Sequence, residues 1–480
     1  MTIPVPALPA VSAATLTTLD LLVTGAEVVT PGQLLRANLG VLDGRVAFLG
    51  RELPAARTVL DASGLSVLPG GVDLHVHFSE PGRTHWEGWA CGSRAAASGG
   101  VTTVVDMPLN AIPATTDSAA FALKRQAGES QSLVDFALWG GLVENNLADL
   151  DGLWTAGAVG FKAFMLDTHD PTFPHAPDGL LLDGMRSIAR LGGTLAVHAE
   201  HTALIEYRQR RLQAAGRQDP QAWLEAHDPL QEREAIRRAL LYAAETGCAL
   251  HVVHVSIPEG VADIVAARQA GQRVTLEVCA HHLLLSDQDF VRQGMEAKCA
   301  PPLRDRARIE ALWEWVASGE VDALTSDHSP CPAPDKGGTD VWSAWGGITG
   351  VQSLLPAVLS EGLRRGLPLP LLCRLLSETP ARLAGLEGRK GTLQLGADAD
   401  FVLLRQNAPW TLEQRHLHSR WPHSAWVGHE FGVQLQAVYL RGQQVAVQQE
   451  PGQMQVSAQP SGRWLRRSGV LLPAVPERRP

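Results

Sequence analysis

Eight apolar, strand-like runs, separated by helical and loop segments, constrain the architecture of this chain more than any other feature of it. The first ends at His77; the others lie at residues 101–106, 134–139, 159–164, 195–198, 250–255, 274–278 and 323–327. Helical patterns fill many of the gaps, as from Pro229 to Thr246 with its Ala235/Ala239/Leu240 stripe. Strands that alternate with helices pair in parallel, and eight such units close into a barrel. The expected fold is therefore α/β, with a (β/α)8 barrel at its centre. Chemistry in such a barrel sits at the C-terminal ends of the strands. Residues 166–180 and 330–347 lack periodicity and read as long loops on that face.

The two chain ends follow a different grammar. Residues 21–23, 39–42 and 46–49 are short apolar runs, with Asp43-Gly44 as a hairpin signal. Similar runs return at 400–404, 437–440 and 445–447. Neither end has enough strands to close a core alone, so both are expected to meet in one small β-sandwich. A chain of 480 residues also exceeds what one core usually serves. The expected plan is a loose tail over 1–18, sandwich over 19–70, barrel over 71–390, sandwich again over 391–450, and an extension over 451–480. The sequence suggests no role for that extension.

Composition removes several classes of function. A net charge of −9, with no useful basic block before the last residues, argues against nucleic acid as partner. No apolar run reaches the ~18 residues of a membrane span. The Pro/Ala/Thr-rich start lacks the pattern of a secretory signal. Six scattered cysteines without a C-x-x-C pair suit reduced thiols, hence the cytoplasm.

The strand ends carry the chemistry. His75 and His77 are two apart on one strand and project to the same side. Lys162, His198, His254 and Asp327 stand near the ends of the fourth, fifth, sixth and eighth runs. Four imidazoles and a carboxylate converging on one mouth suit a borderline metal such as zinc. His251, three before His254, is expected to face the other way.

Lysine is rare here: Lys124, Lys162, Lys298, Lys336 and Lys390 are five of 41 basic residues. A lysine inside an apolar strand therefore asks for a reason. Burial lowers its pKa and exposes the free amine, whereas arginine never loses its charge. That amine can add carbon dioxide, and the resulting carbamate can bridge two metal ions ~3.5–4 Å apart.

This arrangement resembles the cyclic amidohydrolases of the amidohydrolase superfamily, and within them the allantoinase branch. The motifs that carry the likeness are D-L-H-V-H-F-S-E-P-G-R-T-H-W-E-G from Asp73, D-M-P-L-N from Asp106, V-G-F-K at Lys162, S-D-H-S-P-C from Ser326 and A-W-G-G-I from Ala344. The resemblance implies His75, His77, Lys162 as N6-carboxylysine, His198, His254 and Asp327 as ligands of two divalent cations. Zinc is expected, though manganese, cobalt or nickel also suit the set. The implied reaction is opening of the hydantoin ring of (S)-allantoin to allantoate by a hydroxide held between the metals. Asp327 would act as catalytic proton shuttle.

Two related activities fit the residues less well. Dihydroorotases usually carry an Arg two positions after the second histidine, where this chain has Ser79. Hydantoinases have a Tyr soon after the lysine strand, where residues 164–169 contain none. Ser79, Asn110, Ala300 and Gly347 are the candidate substrate contacts; Ala300 stands where such proteins often have Ser. His281, His282 and His328 are candidates for supporting hydrogen bonds. A homo-oligomer, a tetramer by the resemblance, is expected.

Overall fold

The computed structural model describes residues 18–468. Residues 1–17 of the tail expected over 1–18, and residues 469–480 of the extension, lie outside the described residues.

The barrel strands, numbered β1 to β8, are Gly71–Val76, Val101–Asp106, Asp135–Leu138, Phe161–Phe164, Thr194–His198, Ala249–Val252, Val274–Cys279 and Ala323–Thr325. Neighbours pair in parallel from β1 to β3 and from β4 to β8. Gly140–Gly141 extends β3 onto β4. The ring closes where His77 N–H donates to the His328 carbonyl (2.8 Å), beside a Val76–His328 bridge. The eight runs seen in the sequence are therefore the eight staves of one barrel.

Alternation sorts each strand into two faces. On β5, Leu195 and Val197 join the apolar layer under the helices, while Ala196 and His198 turn to the barrel axis. On β7, Leu276 and Val278 pack outward and Glu277 lies inside. The outer helices carry local stop and start signals. Pro229–Thr246 has Pro at its first turn, an Asp228 side chain accepting from Gln231 N–H, and Gly247 in the left-handed region (φ 68°) after its last turn. Its Ala235, Ile236, Ala239, Leu240 and Ala243 are the buried stripe.

The chain ends build two further sheets. Four N-terminal strands pair in the order Arg45–Gly50, Asn38–Leu42, Leu19–Thr24, Ala56–Asp61. The second sheet mixes both ends: Ser66–Pro69 lies antiparallel to Phe401–Arg405, which pairs in turn with Gln434–Leu440. Leu21, Leu39 and Val41 of the first sheet share a core with Val28, Val67, Phe401 and Tyr439 of the second. The extension after Pro451 is tied down as far as it is described. Gln453–Val456 becomes the sheet's last strand, and Phe136 of β3 exchanges backbone hydrogen bonds with Arg463 and Leu465.

Candidate active site

The C-terminal mouth of the barrel opens into a cleft of about 350 Å³. His75, His77, His198, His254 and Asp327 line it. Asp327 Oδ1 lies 3.2 Å from His75 Nε2 and 3.3 Å from His77 Nε2. The His75 and His254 ring centres are 5.4 Å apart, and those of His198 and His254 4.6 Å. Ligand-type atoms of His75, His254 and Asp327 all fall within 4.8 Å of one another. Lys162 stands behind this ring, its Nζ 5.1 Å from the centre of Phe164, which stacks on His198.

The backbone bends to make this possible. His254 (φ 39°) and Asp327 (φ 43°) adopt left-handed conformations just past β6 and β8, as do Ser79 (φ 60°) after β1 and Asn110 (φ 67°) after β2. Non-glycine residues rarely do so, and they cluster where function holds them. The turn at His254 also corrects the sequence-based expectation for His251. Leu250 and Val252 face the helices, so His251 points to the axis, where its Nε2 meets Glu277 Oε2 at 3.2 Å. Both histidines face inward, in successive layers, because strand alternation ends at Val252.

Electrostatics prepare the groups for cation binding, which needs neutral imidazoles and an ionised carboxylate. Burial lowers the pKa of His77, His198 and His254. Burial opposes ionisation of Asp327, but His75 and His77 outweigh it and hold the carboxyl below its usual range. Burial brings Lys162 down to about 8.

All five lysines of the chain are buried, yet they are not equivalent. Lys124 donates to Asp106, Lys298 to Ala344 O, Lys336 to Met295 O and Lys390 to Asp400. Lys162 Nζ, fully buried, has no hydrogen-bond partner among the described residues. An ammonium so placed would be heavily penalised.

Two carboxylates escaped the sequence reading. Glu277 accepts from His75 Nδ1 at 2.5 Å and also meets His251. Glu200 joins His198 Nε2 and His227 Nδ1, each at 2.8 Å. Such partners set which imidazole nitrogen faces the centre. The signal for Glu200 was present, since it follows His198 by two; a lone glutamate in the apolar run of β7 was the signal for Glu277.

Of the four candidate substrate contacts, Asn110 and Ala300 line the cleft. Ser79 and Gly347 are not among its lining residues: Ser79 Oγ lies 3.5 Å from the His77 carbonyl, and Gly347 N–H donates to Lys298 O. Gly346 reaches the cleft instead. His282 Nε2 bonds the Pro301 carbonyl at 3.0 Å, and His328 Nδ1 accepts from Gly350 N–H at 3.2 Å. His281 lies beside them, its ring centre 4.3 Å from that of His282 and its Nε2 without a partner among the described residues.

A parallel eight-stranded barrel with a histidine-rich mouth, flanked by a sandwich from both chain ends, is matched by the sequence pattern of the amidohydrolase family over residues 66–445. The chain belongs to that family. It is 48% identical to the allantoinase of Rubrobacter xylanophilus over 449 residues, covering 93% of this chain and 97% of the relative. It is 45% identical to the allantoinase of Solibacter usitatus over 424 residues, 88% of this chain and 93% of that one. Among solved structures, the L-hydantoinase (dihydropyrimidinase) of Arthrobacter aurescens superposes with a TM-score of 0.89 at 35% identity, covering 94% of this chain and all of that one.

Proposed function

We propose that this chain is an allantoinase, opening the hydantoin ring of (S)-allantoin to give allantoate. The observation that carries the reading is the mouth itself: a buried lysine amine, without a partner among the described residues, behind four inward-facing imidazoles and Asp327. The identity to allantoinases over nearly their whole length supports the substrate.

The residues present fit a pair of divalent cations. His75, His77, His198, His254, Asp327 and Lys162, the last as a carbamate, would hold them; zinc is the metal proposed. Carbamylation converts an amine with no partner into an anion, which accounts for a lysine at that position. When bound, such cations polarise a carbonyl and acidify water near neutral pH.

The protein's own groups supply the rest. Asp327 takes the proton of the attacking water as its oxygen adds to the ring carbonyl carbon. It returns that proton to the ring nitrogen as the C–N bond breaks, acting as base and then acid. Glu277 and Glu200 orient His75 and His198 through their remaining ring nitrogens. Asn110 and Ala300 stand on the cleft wall where the ring would lie.

A second reading, hydrolysis of hydantoin or a dihydropyrimidine, has the likeness to L-hydantoinase behind it. Purified enzyme supplied with metal, tested on allantoin, hydantoin, dihydrouracil and dihydroorotate, separates the two. Ring opening of allantoin is expected; no turnover of allantoin alongside turnover of hydantoin or dihydrouracil transfers the assignment. The resemblance also supports a homotetramer in the cytoplasm, and sedimentation velocity measures the assembly. Among the described residues no helix is long and apolar enough to cross a membrane.

A further inference from the structure

One wall of the cleft carries polar groups that ring opening leaves unused. Trp223 lies on the helix Pro220–Ala226, His227 follows it, and Lys298 comes from the segment after β7; all three line the cleft. His227 is 1% exposed and stacks on Trp223, with ring centres 3.9 Å apart. Its Nδ1 donates to Glu200 Oε1; with that hydrogen on Nδ1, the imidazole tautomer that carries one hydrogen offers Nε2 as an acceptor. That Nε2 is buried and has no partner among the described residues.

Lys298, 3% exposed, holds its nitrogen 4.0 Å from the centre of the Trp223 ring. It gives one hydrogen to the Ala344 carbonyl and has others to give. Trp223 is held in place by its Nε1 donation to Cys299 O (3.1 Å). A buried acceptor without a donor and a buried donor with hydrogens to spare are each unfavourable until something meets them.

A urea offers what both can use: N–H donors and a carbonyl acceptor on one small planar group. We propose that Trp223, His227 and Lys298 form the subsite for the ureido substituent that allantoin carries on its hydantoin ring. A urea N–H donates to His227 Nε2, and the urea carbonyl accepts from Lys298 Nζ. The inference deepens the allantoin reading and rests on it. It also gives the site a means of choosing, because bare hydantoin would leave His227 Nε2 unmet and the remaining Lys298 hydrogens unused.

Steady-state kinetics on metal-loaded, full-length wild type, Lys298→Met and His227→Asn test the subsite, with hydantoin as competing ligand. Asparagine keeps a donor for Glu200 and removes Nε2. Each variant should raise the KM for allantoin roughly 10- to 100-fold, the loss of one strong hydrogen bond. For Lys298→Met the rise should fall on KM far more than on kcat, since substrate and transition state share the contact; His227→Asn, which also touches Glu200, is read by its KM alone. The hydantoin inhibition constant should also hold. A KM that does not move, a fall in kcat at constant KM, or equal losses for allantoin and hydantoin would each overturn the subsite. Where hydantoin fails to compete even with wild type, the split between KM and kcat decides. Wild-type enzyme that opens no allantoin would instead defeat the substrate reading itself.

Discussion

Replacing Lys390 with methionine should destabilise the protein by roughly 3–5 kcal/mol, the usual consequence of removing one partner from a buried ion pair. Lys390 is 1% exposed, and its Nζ lies 2.5 Å from Asp135 Oδ2, 2.7 Å from Asp400 Oδ2 and 2.9 Å from Asp398 Oδ2. Asp135 opens β3, whereas Asp398 and Asp400 lead into Phe401–Arg405 of the mixed sheet. One ammonium thus joins barrel to sandwich. Burial alone would discharge it, but the Asp400, Asp135 and Asp398 carboxylates outweigh burial and raise its pKa. Methionine fills the space, leaving Asp135 to the Arg441 guanidinium, Asp398 to Arg389, and Asp400 with the backbone N–H of Arg441.

For a chain of 480 residues the unfolding entropy is about 1 kcal/mol/K, so the melting temperature should fall by roughly 3–5 °C. The pH dependence has a definite sign. Burial already raises the Asp400 pKa, and losing Lys390 raises it further. A raised folded-state pKa favours folding at acid pH and loses that contribution as pH climbs through it. The deficit of the variant should therefore grow with pH. Calorimetric melts of both proteins near about pH 5.5 and about pH 8 measure it. A melting temperature within about 1 °C of wild type near pH 8, or a larger deficit in acid, refutes the reasoning.

Three other substitutions address the mouth and its wall. Asp327→Asn should lower kcat by about 10²–10⁴ while largely keeping its metal, and rates like those of wild type would remove the shuttle from the mechanism. Lys162→Met should lose bound metal, seen by elemental analysis, and native mass measurement of wild type should show about 44 Da of added carbon dioxide. An unmodified wild-type mass would defeat the carbamate. Burial, reinforced by Lys336, brings Lys298 down to about 7. The unfolded chain holds that proton to about pH 10.4, so between the two values stability should rise with pH, by up to ~1.4 kcal/mol per unit from this group. Below the lower value both states are protonated and the contribution is flat. Urea midpoints of wild type and Lys298→Met across that window check it; equal slopes would exclude the effect.

Much of the scaffold was legible in local pattern. Asp228, Pro229 and Gly247 mark the limits of one helix because capping and left-handed turns depend on neighbours in sequence. The alternation on β5 shows that His198 shares a face with Ala196 for the same reason. That logic fails where a strand stops: His254 reaches the mouth through a left-handed backbone that no periodicity announces.

The sequence by itself determined the eight strand-like runs, the segregation of short strands to the two ends, and the ligand-type residues at strand exits. These depend on spacing and on side-chain chemistry. Only the tertiary structure decided which polar atoms are met and which are not. Glu277 finds His75 across 202 positions of chain, and Lys390 finds Asp135 across 255. Lys162, equally buried, finds no partner among the described residues. Partnership in an interior is a property of three-dimensional neighbours. It separates the four lysines that meet a protein partner from Lys162, whose burial calls for a chemical explanation.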